Sequence, residues 1–320
     1  MDGAFKRLSA IVIIVSLLSL FLTGCEQTNG STPSGEVSTA TFTIGSGEKS
    51  TPYYAVNDAM TQIGAPINLA VVETAGSIEN IDMMQNNTAQ MGMVQNAAWK
   101  YAEEGNKNIQ GLNVIMALYP ETVHLVVPAE SKVKSVMDLV GKRVAIGAEG
   151  SGVYISALNL FKAFDIPLST METSKLGFKQ SCDALKNDEV DAFFIVSAIP
   201  NGLITALAKE KPIKMVNING PKVDEMIAEN PGYKRTLIPK ELYGLEEDTE
   251  TVSVYVTLAC RADLDENTVY EFTKYFYKNI DKMKELTPFA KQISMSECKN
   301  GVTVPIHPGA LRYYNEQHIN

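Results

Sequence analysis

Strand-like and helix-like hydrophobic patterns alternate along the chain from about residue 41 onward. Thr41 to Ile44 alternates between polar and apolar residues and runs into Gly45-Ser46-Gly47, as expected of an opening strand followed by a loop. Thr51 and Pro52 then predict the start of a helix that ends at Gly64. Such alternation is typical of α/β proteins, in which helices cover a central sheet.

The same criteria predict the remaining elements. Short apolar segments predict strands at residues 69–72, 91–94, 114–118, 123–127, 143–146, 192–196, 213–218 and 252–260, with Tyr119-Pro120 separating the third from the fourth. Helical spacing predicts helices after Gly76, from Asn96 to Glu104, after Gly152 and around Ala184. A long last helix is predicted after Asp265, with one continuous apolar stripe formed by Val269, Phe272, Phe276, Ile280 and Met283.

Three times a strand runs into a small polar loop and then a helix. The loops are Gly45-Ser46-Gly47, Thr74-Ala75-Gly76-Ser77 and Gly150-Ser151-Gly152. In open α/β sheets such loops lie at the carboxyl ends of strands, where ligands bind, and the helix start favours a carboxylate or phosphate. Each loop alone is better explained as a tight turn with a helix cap. Their recurrence favours one shared binding site.

Sequence signatures of catalysis are missing from the chain. Gly47-Glu48-Lys49-Ser50 lacks the glycine that precedes the lysine in a P-loop, and neither a complete G-x-G-x-x-G nor a G-x-S-x-G occurs. The histidines show no metal-ligand spacing: His124, His307 and His318. We also find no acid–base constellation of the kind that enzymes of this size show. The sequence therefore predicts a binding protein without cofactor or metal, and not an enzyme.

Charge and cysteine content narrow the partners further. The formal net charge of -9 and a pI near 5.0 argue against nucleic acid, since no basic stripe is present. Cys182, Cys260 and Cys298 form no C-x-x-C pair, and the sequence alone cannot pair them. Cys182 and Cys260 lie in apolar-periodic segments, which predicts buried free thiols at both.

The first residues are typical of an export signal. Lys6 and Arg7 precede an uncharged apolar run at 8–22, which is too short for a membrane span of about 20 residues. Leu22-Thr23-Gly24-Cys25 then resembles a bacterial lipobox, which predicts a signal peptide at 1–24 and a lipid on Cys25. An ordinary cleaved signal is the alternative. Residues 25–40 have the composition of a flexible linker. We therefore expect an extracytoplasmic protein anchored by lipid to a membrane surface, on the periplasmic side or on the outer face of the cell membrane.

Several sequence blocks between about Thr41 and Glu316 resemble the TAXI receptors, the extracytoplasmic solute-binding subunits of one branch of TRAP transporters. In order they are Gly76-Ser77-Ile78-Glu79-Asn80, Val94-Gln95, Ala117-Leu118-Tyr119-Pro120-Glu121 with Val123-His124, Asp138 to Gly147, Gly150-Ser151-Gly152, and Pro305-Ile306-His307-Pro308-Gly309-Ala310 to Tyr314. The first loop departs from the family pattern, because Glu48, Lys49 and Pro52 stand where the family has smaller residues.

The resemblance implies a two-lobed periplasmic-binding-protein fold of type II, with two crossover strands at the hinge. We expect the crossings at Val123 to Val127 and Val252 to Cys260. Lobe 1 would then hold residues 41–125 and 251–320, and lobe 2 residues 126–250. Family members are associated with small carboxylates, glutamate and glutamine among them. The expected partners are a small-molecule ligand in the interlobe cleft and the ion-coupled membrane subunits of a TRAP transporter.

The ligand carboxylate is expected to dock at the helix start formed by Ser151, Gly152 and Val153. Further contacts are predicted for polar residues next to the loops and for two tyrosines as flat walls: Ser46, Ser77, Gln95, Ser197, Tyr54 and Tyr119. The alternative for the tyrosines is core packing, and for Gln95 and Ser197 a role in a turn. His307 is interpreted as architectural.

Other functions remain open from the sequence. The same fold also serves as the substrate-binding lipoprotein of ABC importers. An enzyme of the two-lobed fold acting on a small organic acid is a third possibility, and a sensory or adhesion lipoprotein is a fourth.

Overall fold

The computed structural model describes residues 41–64 and 66–319, so the predicted signal peptide, Cys25 and the linker lie outside the described residues. The strands over the described ranges are β1 (Thr41–Gly45), β2 (Asn68–Val72), β3 (Met91–Gln95), β4 (Leu112–Pro128), β5 (Arg143–Ala145), β6 (Glu172–Ser174), β7 (Ala192–Ser197), β8 (Ile213–Met215), β9 (Tyr233–Ile238) and β10 (Thr249–Arg261). The α-helices in the same ranges are α1 (Pro52–Ile63), α2 (Ser77–Gln85), α3 (Asn96–Glu104), α4 (Gly152–Ala163), α5 (Phe178–Lys186), α6 (Gly202–Glu210), α7 (Pro221–Glu229), α8 (Glu266–Lys278), α9 (Ile280–Leu286) and α10 (Pro308–Glu316).

All the strands join one sheet in the order β2-β1-β3-β10-β4-β7-β5-β6, with β8 added to β4 and β9 added to β10. Strands β1 to β3 form one parallel section, here called the first half of the sheet. Strands β5, β6 and β7 form another parallel section, the second half. The long strands β4 and β10 run antiparallel to each other between the two halves. The predicted alternation of strands and helices is confirmed, and the segments predicted as crossings, 123–127 and 252–260, lie in β4 and β10.

Strand β4 is continuous for 17 residues, so the predicted break at Tyr119-Pro120 is wrong. The pairing with β10 shifts at this point: Tyr119 faces Val256 and Ala117 faces Thr257, which leaves Leu118 as an extra residue. A bulge of this kind accommodates a proline within a strand that would otherwise need its N–H group. The strand therefore bends past Pro120 and continues.

The first helix begins and ends as predicted, whereas the last long helix does not. Thr51 is the N-cap of α1, and Gly64 ends it with a left-handed φ of 75°. The stripe predicted after Asp265 lies on two helices, α8 and α9, which separate at Asn279. The Tyr275 carbonyl accepts both from the Asn279 backbone N–H group at 3.1 Å and from the Asn279 side chain at 2.9 Å, so Asn279 caps the end of α8.

Two buried apolar clusters support the two halves of the sheet. One packs α1, α8 and α10 around β1 and β3, with Met60, Phe276 and Tyr314 among its largest buried side chains. The other packs α4 against β7 through Phe161 and Phe194, whose rings meet edge to face at 5.7 Å. The cysteines of the described residues are free and buried, as predicted for Cys182 and Cys260 and found also for Cys298. None of the helices within 41–64 and 66–319 is both long enough and apolar enough to cross a bilayer.

Candidate ligand-binding site

The three small polar loops meet around one cavity of about 40 Å³, which each of them lines. The loops after β1 and β2 belong to the first half of the sheet, and the loop after β5 belongs to the second half. They touch directly: the Ile78 backbone N–H donates to the Gly150 carbonyl at 3.1 Å. A Cβ atom on Gly76 would lie 3.4 Å from the Cα atom of Ser151. The structure thus brings together the loops that the sequence singled out.

The start of helix α4 forms one wall of the cavity through Ser151, Gly152 and Val153. Ser151 is the N-cap residue, and its hydroxyl oxygen accepts a 3.1 Å hydrogen bond from the Tyr154 N–H group. The first N–H groups of a helix have no partner within the helix, and the helix dipole places partial positive charge there. This wall therefore offers an environment for an anionic group.

Gln95 lies at the end of β3 and presents its carboxamide to the cavity and to α4. The side chain is only 1% exposed. Its Nε2 atom donates to Glu121 Oε2 at 3.1 Å, and its Oε1 atom accepts from Ser156 Oγ at 3.2 Å. A Cβ atom on Gly152 would lie 2.6 Å from Nε2, so only glycine leaves room for this side chain without a shift. The amide therefore links the first half of the sheet to the helix of the second half.

Glu121, on the crossing strand β4, also lines the cavity and was missed as a site residue by the sequence reasoning. Burial raises the pKa of its carboxyl group to about 8, although hydrogen bonds from Gln95 and Tyr53 favour the charged form. The Tyr53 hydroxyl donates at 3.4 Å. An acid inside an otherwise apolar strand was the available signal, because such a residue is rarely buried without a purpose.

Neither of the two tyrosines predicted as walls, Tyr54 and Tyr119, lines the cavity. Tyr53 lines the cavity, whereas the predicted Tyr54 is partly exposed and lies outside the lining. Neighbouring residues of a helix point about 100° apart, so only one of the pair can face the cavity. Tyr119 is fully buried beyond the lining, and its hydroxyl has no partner among the described residues. Burial, followed by the nearby Glu121 carboxyl group, raises the Tyr119 pKa well above its ordinary value.

The predicted serines other than Ser151 lie behind the walls of the cavity. Ser46 is buried, and its carbonyl accepts from Asn80 Nδ2 at 2.6 Å, which fixes the first loop. Ser77 Oγ accepts from the Gln95 N–H group at 3.1 Å. Ser197 Oγ accepts from Asn201 Nδ2 at 3.0 Å, and its neighbour Val196 lines the cavity instead. These serines position the lining residues and do not themselves face the cavity.

A fourth loop completes the lining and was not predicted. Gly177 and Phe178, at the start of α5, line the cavity, and Gly177 faces Glu48 of the first loop. The preceding strand β6 has only three residues, and its first two are exposed. The apolar run that would have predicted a strand is therefore missing from this segment.

The arrangement is that of a binding site for a small polar molecule. Helix N–H groups on one side suit an anion, and the Glu121 carboxyl group with its amide neighbour suits a hydrogen-bonding or cationic group. Among the described residues, no cluster of three or more His, Cys, Asp or Glu side chains could hold a metal ion.

The fold is similar to that of known binding proteins. Residues 44–317 match the model of the NMT1-like family. A protein from Bordetella bronchiseptica RB50 is similar over 86% of this chain and 89% of its own, with 16% identity and a TM-score of 0.54. A Xanthomonas citri protein bound to ATP covers 87% of this chain with 95% of its own, at 10% identity and a TM-score of 0.51. An ancestral arginine-binding protein bound to arginine is similar over 80% of this chain and 99% of its own, with 14% identity and a TM-score of 0.50.

These similarities define the fold class as α/β of the periplasmic-binding-protein type, as the sequence predicted. At such low identity the structural likeness describes the fold alone. The family match covers most of the chain, and the chain belongs to the NMT1-like family.

Proposed function

We propose that this protein is an extracytoplasmic solute receptor that closes around a small carboxylate-bearing molecule and delivers it to a membrane importer. One observation carries the proposal: loops from both halves of the sheet converge on one cavity that combines a helix start with a buried carboxyl group. A ligand that touches both halves binds the closed form better and shifts the population toward it. The two lobes of this proposal are residues 41–125 with 251–320, and residues 126–250.

In the proposed complex the ligand carboxylate lies at the start of α4, against Ser151, Gly152 and Val153. An anion at a helix start gains about 0.3–1 kcal/mol, and more where it is partly buried. Gln95 and Glu121 contact the opposite end of the molecule. A ligand ammonium group there would pair with the ionised Glu121 carboxylate, which favours amino acids among the small carboxylates.

The importer proposed from the resemblance to TAXI receptors is a TRAP transporter, with the receptor attached through a lipid on Cys25. The fold also fits the receptor of an ABC importer. Reconstituting the receptor with the membrane subunits encoded beside it separates these partners. Uptake that collapses with the ion gradient supports the TRAP assignment, and uptake that requires ATP hydrolysis supports the ABC assignment.

Ligand binding itself is tested with the purified receptor. Mass spectrometry of small molecules released on unfolding gives the natural ligand, and calorimetry gives its affinity. Ser151→Glu places a carboxylate at the proposed anion site and is expected to abolish binding without unfolding the protein. Ser296→Glu makes the same change at an exposed position and serves as the control. Equal affinity of both variants for the released ligand would refute the site.

A further inference from the structure

Glu48 extends from the first loop across the cavity to the second half of the sheet. Its side chain lines the cavity together with Gly177, the residue directly before α5. A Cβ atom on Gly177 would lie 2.6 Å from Glu48 Oε2 and 2.8 Å from Glu48 Cδ. The carboxylate therefore packs directly against the backbone at the start of α5.

The first loop holds Glu48 in this direction. The Glu48 carbonyl accepts hydrogen bonds from the Thr51 N–H group at 2.9 Å and from Thr51 Oγ1 at 2.7 Å. The next residue is held as well, because the Lys49 N–H group donates to Glu73 Oε1 at 3.0 Å. These bonds fix the peptide unit between Glu48 and Lys49, and the partly exposed Glu48 side chain lines the cavity.

Gly177 is required here by space and not by backbone conformation. Its φ of -69° is accessible to any residue. The three heavy atoms nearest to a Cβ atom at this position would all belong to the Glu48 carboxylate group. The absence of a side chain at Gly177 therefore makes room for the Glu48 carboxylate, and the two residues form a contact between the two halves of the sheet.

This contact limits the space left for a ligand. The remaining cavity of about 40 Å³ compares with about 10–15 Å³ for a single water molecule on the same measure. The cavity already offers one anion environment at the start of α4. The start of α5 would offer a second, but a carboxylate of the protein itself already lies there.

We propose that Glu48 is a specificity-determining residue that takes the place of a second acidic group of the ligand. The receptor then selects small molecules with a single carboxylate and rejects dicarboxylates, by charge and by volume. This inference rests on the proposed function as a receptor for small carboxylates.

Calorimetry with ligand-free protein tests it, with acetate, glycine and alanine as small probes and succinate and glutamate as dicarboxylates. We expect the unaltered protein to bind at least one small probe more than about tenfold more tightly than either dicarboxylate, a difference of about 1.4 kcal/mol. Glu48→Ala should raise dicarboxylate affinity by roughly tenfold or more. Glu48→Gln, which removes the charge but keeps the volume, should give a smaller gain.

Glu149→Ala serves as the control. It removes an exposed acid beside the third loop, where Glu149 pairs with Lys175 at 2.8 Å, and should leave the ratio of small-probe affinity to dicarboxylate affinity unchanged. Thermal unfolding of each variant establishes that it is folded. Small-probe binding with the same selectivity in Glu48→Ala overturns the role of Glu48 but keeps the receptor function. The role of Glu48 is also overturned if the unaltered protein binds dicarboxylates as tightly as it binds the small probes. Both proposals are overturned if neither the unaltered protein nor Glu48→Ala binds any probe and no small molecule is released on unfolding.

Discussion

The side-chain amide of Gln95 donates a 3.1 Å hydrogen bond to the buried carboxyl group of Glu121. The two side chains are 1% and 3% exposed. This hydrogen bond stabilises the ionised carboxylate, whereas burial stabilises the neutral acid, and burial prevails because the pKa rises to about 8. The charge of Glu121 near neutral pH therefore depends on what occupies the cavity beside it.

The first prediction concerns the stability of the ligand-free protein. The folded-state pKa of Glu121 lies above its ordinary value of 4.5, so the folded state binds more protons than the unfolded state between these values. The contribution of this group to the unfolding free energy is then complete at low pH and is lost as the pH rises toward 8, by at most about 1.4 kcal/mol per pH unit. Urea unfolding at several pH values between 5 and 8 measures it.

Glu121→Gln is expected to remove this part of the pH dependence and to make the protein relatively more stable at pH 8. Glu149→Gln, at an exposed acid, is the control and should follow the unaltered protein. If the unfolding free energies of Glu121→Gln and of the unaltered protein changed with pH in parallel, the raised pKa of Glu121 would be contradicted.

The second prediction concerns His124, on the same strand as Glu121, and its effect on stability has the opposite pH dependence. His124 is buried, with Nε2 at 3.0 Å from the Tyr243 hydroxyl and Nδ1 at 3.3 Å from the Ile195 carbonyl. Burial lowers its pKa from 6.5 to about 4. The unfolded state therefore binds more protons between these values, and stability is lost as the pH falls from about 6.5 to 4.

The neutral imidazole of His124 is directly observable by NMR. Its ring resonances should stay at their neutral positions down to about pH 5, and unfolding free energies should fall below pH 6.5. His124→Gln should weaken this acid dependence even if it lowers stability at every pH. An imidazole that titrates near 6.5 in the folded protein would show that the prediction is wrong.

A large part of the fold follows from local chemistry in the sequence. The limits of α1 were predictable because Pro52 and Gly64 have backbone preferences that act without any tertiary contact. The break at Asn279 was not, because the apolar stripe continues through it without a local signal. The continuity of β4 past Pro120 depends on its pairing with β10, which no local pattern shows.

The candidate site was predictable to a similar extent. The start of α4 was recognisable because glycine and serine at a helix start have a direct physical meaning. Glu121 and Gly177 owe their place to contacts between segments far apart in the chain. Gly177 has no local signature, and the only local signal for Glu121 is its position as an acid in a largely apolar strand. Whether Tyr53 or Tyr54 faces the cavity depends on the rotation of α1 about its axis, and the sequence does not distinguish two rotations that differ by one residue.

The third prediction uses the close approach of Gly152 and Gln95. Gly152→Ala adds one methyl group that must displace the buried carboxamide, and such overpacking costs about 1–3 kcal/mol. Because the contact joins the two halves of the sheet, the cost should fall on the closed state. We expect ligand affinity to drop roughly tenfold, with a larger radius of gyration by X-ray scattering and little change in the unfolding temperature.

A double-mutant cycle tests the cause of that loss. In the Gln95→Ala background the obstructing carboxamide is gone, so adding Gly152→Ala should cost little further affinity. Additive losses from the two substitutions would show that Gly152 acts on the ligand directly and not through Gln95.

The fourth prediction compares two adjacent tyrosines. Tyr53→Phe removes the hydroxyl group that donates to Glu121 at 3.4 Å, whereas Tyr54→Phe changes a partly exposed side chain outside the cavity. Loss of the donor favours the neutral form of Glu121, so the Tyr53 variant should bind the natural ligand about 2- to 10-fold more weakly, in line with about 0.5–1.5 kcal/mol per hydrogen bond. The Tyr54 variant should bind as the unaltered protein does. Calorimetry with the ligand released on unfolding measures both affinities, and a larger loss in the Tyr54 variant would contradict the orientation of α1 described here.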